Sequence, residues 1–141
     1  MSITQLTPST PPPPMTEREL QDSIVGLCKW FHLLVYHTYD SRRCAAGFPD
    51  LVIIGTRILA WELKSASGEL TRTQTHYKDA FEEVGEHCPN FVHGTACVEY
   101  AVIRPVDWHS GRVRTALESI MFRAAGGPVP AAPHPHQRRP L

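Results

Sequence analysis

The sequence predicts an α/β fold, ordered helix, three strands, helix, strand, helix, with a central mixed four-stranded sheet flanked by helices. Three observations carry that prediction. Two apolar runs of strand length, 51–54 and 58–63, flank a short turn with Gly55 in it, which is a hairpin signal. Helical periodicities lie before and after that hairpin. A further apolar run, 97–103, follows the second helical stretch, and the usual right-handed crossover makes it parallel to the strand before it.

Residues 1–15 are rich in Ser, Thr and Pro, with Pro11 to Pro14 consecutive. Such a segment reads as a disordered, partly polyproline arm. Thr16 caps a helix with Glu17 and Glu19 in its first turn. Leu20, Ile24, Leu27, Cys28 and Phe31 then recur at helical spacing, so the helix runs to about Phe31. Residues 33–38 form a first strand, with Cys28 and Tyr36 expected in the core. The loop 39–46 carries Ser41, Arg42 and Arg43 and leads directly to Asp50. Paired arginines beside a hydroxyl suit phosphate contacts, or are a solvated charge pair. His37 either orients a phosphate or leaving group or is an ordinary satisfied histidine.

A three-residue turn, 55–57, pairs Ile54 with Ile58 and so sets Asp50 opposite Glu62. Directly opposed residues share a face, with Cβ atoms roughly 4.5–5.5 Å apart. Lys64, two beyond Glu62, joins that face. A turn of even length would put the two carboxylates on opposite faces. Two adjacent carboxylates repel unless a cation lies between them, and a hard ion such as Mg2+ takes oxygen ligands at about 2.0–2.1 Å. Lys64 then positions or activates a water, or steadies a phosphate. Asp followed by Glu-x-Lys on the next strand is a phosphodiester-cleaving constellation; its ordinary counterpart is a hairpin with solvated ends. Away from these charges both faces of the hairpin are apolar, so helices should cover both sides.

Thr71-x-x-Gln74 is a capping box opening a helix over 72–84, with Gly85 as its stop. A connection over 86–96 leads to the strand 97–103, which Arg104-Pro105-Val106-Asp107-Trp108 ends. Val113, Leu117, Ile120 and Met121 mark a third helix over 112–123. Residues 125–141 read as a disordered, mildly basic tail, leaving 16–124 as one domain.

The full 141 residues carry zero formal net charge, and residues 16–124 hold 12 Lys+Arg against 14 Asp+Glu. No global basic field advertises nucleic acid, so any such contact must rest on a local patch. No apolar run is long enough to span a membrane, and no export signal precedes the first helix. A cytoplasmic setting follows, in which Cys28, Cys44, Cys88 and Cys97 are expected as four free thiols. His87, Cys88, His93 and Cys97 do not match usual zinc spacing, so no structural zinc is expected.

Gly47-Phe48-Pro49-Asp50, Glu62-Leu63-Lys64 and Gln74 together resemble the VRR-NUC branch of the PD-(D/E)XK nucleases, especially its small stand-alone phage versions. The resemblance runs from about Thr16 to Trp108 and includes Tyr36 to Arg43 and Arg104-Pro105-x-Asp107-Trp108. It implies a restriction-endonuclease-like fold and Mg2+- or Mn2+-dependent DNA cleavage in a bacterial or phage-infected cytosol. It further implies metal held by Asp50, Glu62 and the Leu63 carbonyl, Lys64 on the attacking water, and Gln74 as a polar helper. Nucleases of this kind bring one more carboxylate from the first helix. At about 100° per residue, Glu17 lies within the apolar stripe and Glu19 opposite it, so Glu17 is expected at the metal, directly or through water, with Gln21 a turn further on. The family's substrates are branched or nicked DNA in recombination, repair or phage replication, and resolving a junction needs two sites, hence a homodimer. The competing expectation is a catalytically silent DNA-binding protein that keeps the fold.

Overall fold

A computed structural model describes residues 14–39, 42–88 and 96–122. The expected arm before Pro14, Ser41, His93 and the expected tail lie outside the described residues. Helix α1 spans Glu17–Trp30. Its Thr16 hydroxyl accepts the Glu19 N–H at 3.2 Å and the Glu19 carboxylate accepts the Thr16 N–H at 2.8 Å, a complete capping box. Leu20, Ile24 and Cys28 are fully buried. Met15 also packs against the core, so the folded unit begins one residue earlier than expected.

No glycine ends α1. His32 takes a left-handed φ of 56°, the Leu33 N–H donates to the Cys28 carbonyl at 2.9 Å, and the His32 N–H donates to Lys29 at 3.1 Å. This is a Schellman stop built on histidine, and it turns the chain into strand β1, Leu34–His37. Strands β2, Leu51–Ile54, and β3, Ile58–Leu63, pair antiparallel with Ile54 opposite Ile58, so the turn has three residues. Helix α2, Arg72–Glu86, leads to β4, Val98–Ile103, which pairs parallel to β3. The sheet order is β1-β2-β3-β4. Helices α3, Pro105–His109, and α4, Arg112–Ser119, complete the described chain. The molecule is thus α/β, with a mixed four-stranded sheet flanked by helices.

One sheet face presents Leu51, Ile53, Leu59, Trp61, Leu63 and Ile103 to Leu20, Ile24 and Cys28 of α1 and to Val113 and Leu117 of α4. On the other face α2 lies over β4, with Phe81 stacked on Tyr100 at 6.2 Å and Phe48 edge-on to Tyr77 at 5.5 Å. Helical cover of both sides is therefore incomplete. Leu34, Tyr36, Ile54 and Ile58, neighbours across the β1–β3 half of that face, are exposed. Tyr36 is 55 % exposed rather than in the core, because β1 is an edge strand and α2 sits toward the other edge.

Several boundaries differ from the sequence reading. Helix α2 runs through Gly85 to Glu86. Gly85 is a contact residue rather than a stop: an added Cβ would lie 2.8 Å from the Val98 carbonyl. Residues 105–109 do more than end β4. Pro105 opens α3, and the Asp107 carboxylate accepts the Arg104 N–H at 2.9 Å. Helix α4 stops at Ser119, short of residue 123, because the hairpin turn caps it: the Thr56 N–H donates to the Ile120 carbonyl at 2.8 Å. Arg57 anchors the same turn to Glu99 and Ser119.

The expectation of four free thiols is also corrected. Cys88 and Cys97 form a disulfide, leaving Cys28 and Cys44 free. Close packing of α2 on β4 brings their Cα atoms to 6.2 Å, within bridging distance. Among the described residues, no helix is long and apolar enough to cross a membrane.

Candidate active site

Leu51 pairs with Trp61, so the next rung sets Asp50 against Glu62 at the end of the hairpin away from its turn. The Asp50 Oδ2 accepts the Leu63 N–H at 2.8 Å. Glu62 is 1 % exposed. Its Oε1 meets the Lys64 ammonium at 3.2 Å and accepts the Gln74 side-chain amide. Its Oε2 is buried with no hydrogen-bond partner. Gln74 serves two purposes at once, because its own oxygen accepts the Thr71 N–H at 2.8 Å and closes the capping box of α2.

Burial dominates the electrostatics. It pushes the Glu62 carboxyl up to about 7, with repulsion from Asp50 adding to the rise and Lys64 opposing it. The Asp50 carboxyl is raised by burial too, against the pull of the Leu63 N–H and Lys64. Two adjacent, partly desolvated carboxylates disfavour double ionisation, and the single Lys64 ammonium offsets only part of that cost.

Gly47 sets this geometry. Its φ is +89°, and an added Cβ would lie 2.5 Å from the Thr73 carbonyl carbon and 2.8 Å from the Gln74 nitrogen. The Gly-Phe-Pro-Asp segment therefore lies directly on the first turn of α2, which carries Gln74. Phe48 packs on Tyr77 and Phe81 of that helix, and Pro49 is buried.

Glu17 is exposed rather than buried in the stripe, yet its Oε1 reaches across to accept the Ser65 N–H at 2.9 Å. Glu17 lines a hollow of about 330 Å3 together with Gln21, His37, Asp50 and Leu63. Glu19 folds back onto Thr16. Among the described residues, no group of three or more His, Cys, Asp or Glu stands close enough together to hold a metal ion. Glu17 stands near enough to Asp50 for its charge to push the Asp50 carboxyl up, while its Oε1 is held by the Ser65 N–H. The His37 Nδ1 lies 3.3 Å from the Gln21 amide, and its ring faces Tyr39 at 4.0 Å. Arg42 and Arg43 are exposed on the loop before Asp50.

Sequence reasoning missed the support behind Lys64. The Arg104 guanidinium donates to the Ser65 carbonyl at 2.6 Å, and the Lys64 N–H donates to the Ile103 carbonyl at 3.0 Å. Arg104 and Ser65 are 39 residues apart, so no local pattern could have found the pair. The donor set fits a hard divalent cation: two carboxylates side by side, one with an oxygen buried and unpartnered. Comparison of the chain with family models, with curated proteins and with solved structures finds no match.

Proposed function

We propose that this protein is a Mg2+- or Mn2+-dependent DNA endonuclease of the VRR-NUC type, with a restriction-endonuclease-like fold, acting on branched or nicked DNA in recombination, repair or phage replication. The observation that carries this reading is the Asp50–Glu62 pair, with Asp50 half-buried and Glu62 buried with one oxygen unpartnered. Asp50, Glu62 and the Leu63 carbonyl would hold the cation. Such an ion, when bound, supplies a water of lowered pKa and offsets charge on the scissile phosphate.

The chain's own groups prepare that chemistry. Gln74 and Lys64 both hold Glu62 Oε1, which leaves Oε2 as the free donor. Lys64, 3.2 Å from Glu62 Oε1, would steady an attacking water beside the pair. Glu17, on the wall of the hollow with Asp50, would complete the cation site directly or through water. Arg42, Arg43 and Ser41 would meet phosphates of the DNA backbone, and His37 would line the path of the strand. Symmetric cutting of a four-way junction would take two copies.

The test is a cleavage panel of linear, nicked, flapped and four-way DNA with Mg2+ or Mn2+. The wild type should cut at least one branched or nicked substrate, and Asp50→Asn should lose cleavage while still binding it. Binding without cleavage by the wild type would instead identify a silent DNA-binding protein.

A further inference from the structure

Tyr39 is 91 % exposed, two residues past the end of β1, and lines the hollow that reaches Asp50. Its ring faces His37 at a centroid distance of 4.0 Å and a tilt of 50°. His37 is held in turn by Gln21 at 3.3 Å. The two rings form a ridge between two hollows. On one side is the hollow of about 330 Å3 that reaches Asp50. On the other is one of about 380 Å3 lined by Tyr36 and Arg43. Outward from the carboxylate, the surface thus runs through His37 and Tyr39 to Tyr36 and Arg43. Aromatic rings interleaved with cationic side chains form the surface on which single nucleic-acid strands stack.

We propose that the Tyr39–His37 ridge is a stacking platform for an unpaired base of the DNA strand that crosses the Asp50–Glu62 site. This rests on the nuclease reading above and names its substrate class: DNA with an unpaired segment beside the cut. Charge decides between base and phosphate at the ridge. Glu17, Asp22 and Asp50 line the inner hollow against one arginine, Arg18, which repels an anion but not the flat face of a neutral base. A base within a duplex has both faces covered by its neighbours, so only an unstacked one can use the ring. Continuity with the carboxylate pair favours a DNA strand over a protein partner as the occupant.

The experiment uses the full chain carrying Asp50→Asn, with a single-stranded oligonucleotide containing 2-aminopurine and a matched blunt duplex, each titrated in Mg2+. Stacking should quench the 2-aminopurine fluorescence. Adding Tyr39→Ala should remove the quench and weaken single-strand binding about 5- to 100-fold, as loss of one aromatic–base stack does. Tyr39→Phe should keep both, and duplex affinity should change little. An unchanged thermal midpoint shows that Tyr39→Ala still folds. The platform is overturned if Tyr39→Ala leaves quench and affinity intact, or weakens duplex binding equally. It is also overturned if Tyr39→Ala only turns dimers into monomers in sedimentation. If the wild type cleaves DNA while Tyr39→Ala binds like its parent, the platform alone falls. If no DNA of any form binds, the nuclease reading falls with it.

Discussion

Glu62 shows how burial sets the behaviour of a single residue. Its carboxyl, held at about 7 against an ordinary 4.5, prefers the proton when folded. That preference stabilises the metal-free fold fully below about pH 4.5 and is lost as pH rises through about 7. Glu62→Gln removes the charge but keeps the shape. Without metal, its melting temperature should therefore exceed that of the wild type above about pH 7, and the gap should close near pH 4. A variant that melts lower at pH 8 would contradict this. Added Mg2+ should raise the melting temperature of the wild type and leave that of the variant unchanged, because only a folded state that binds the ion gains from it. Glu17 and Glu19 differ in the same concrete way. Glu17 lines the hollow with Asp50, whereas Glu19 serves the cap of its own helix. Glu17→Gln should lower turnover about 10- to 100-fold, the scale of outer-shell partners of a metal site, without a matching loss of stability. Glu19→Gln should leave turnover near the wild-type level. Steady-state rates on the best substrate decide the order.

At the scale of elements, the hairpin was legible because its chemistry and its register constrain each other. Only an odd turn puts Asp50 against Glu62, and the turn has three residues. The first helix was legible from the stripe of Leu20, Ile24 and Cys28, now its buried face. What stayed hidden depends on distances between elements. The His32 stop lacks the usual glycine, Gly85 matters only because β4 lies against it, and α3 is a five-residue helix directly after a strand. The helical wheel put Glu17 in the buried stripe, but Glu17 is exposed and reaches Ser65, 48 residues away, a partner that no local pattern shows. Glycines separate local from tertiary causes cleanly. Gly26 lies inside α1 with nothing within 4 Å of an added Cβ. Gly26→Ala should therefore stabilise by about 0.5–1 kcal/mol through helix propensity alone. Gly47→Ala must hold a left-handed φ and displace the backbone of Thr73 and Gln74. It should cost about 2–4 kcal/mol and reduce cleavage beyond what the stability loss explains. Urea denaturation of the two variants measures both effects, and equal signs would overturn the assignment.

Over the whole molecule, the hairpin links both ends of the described chain. Its open end carries the carboxylates against α1 and α2, and its turn holds the last residue of the α4 cap. The sheet is sealed on the α1–α4 side and half open on the other, so the site sits at the sheet end where α1 and α2 both begin. The disulfide adds a covalent tie that zero net charge and cysteine spacing did not announce. Denatured without reductant, the protein should show two titratable thiols, and four after reduction; four at the outset would remove the bridge. Reduction should lower unfolding free energy by about 2–3 kcal/mol, the loop-closure entropy of a ring of this size. The bridge also changes what a broken backbone would mean. A protease that cuts between Cys88 and Cys97 severs the peptide chain but not the molecule. The piece bearing Asp50, Glu62 and Gln74 would stay joined to the piece bearing Arg104 and α4. Such a nicked sample should run as one species on a non-reducing gel and as two after thiol reduction.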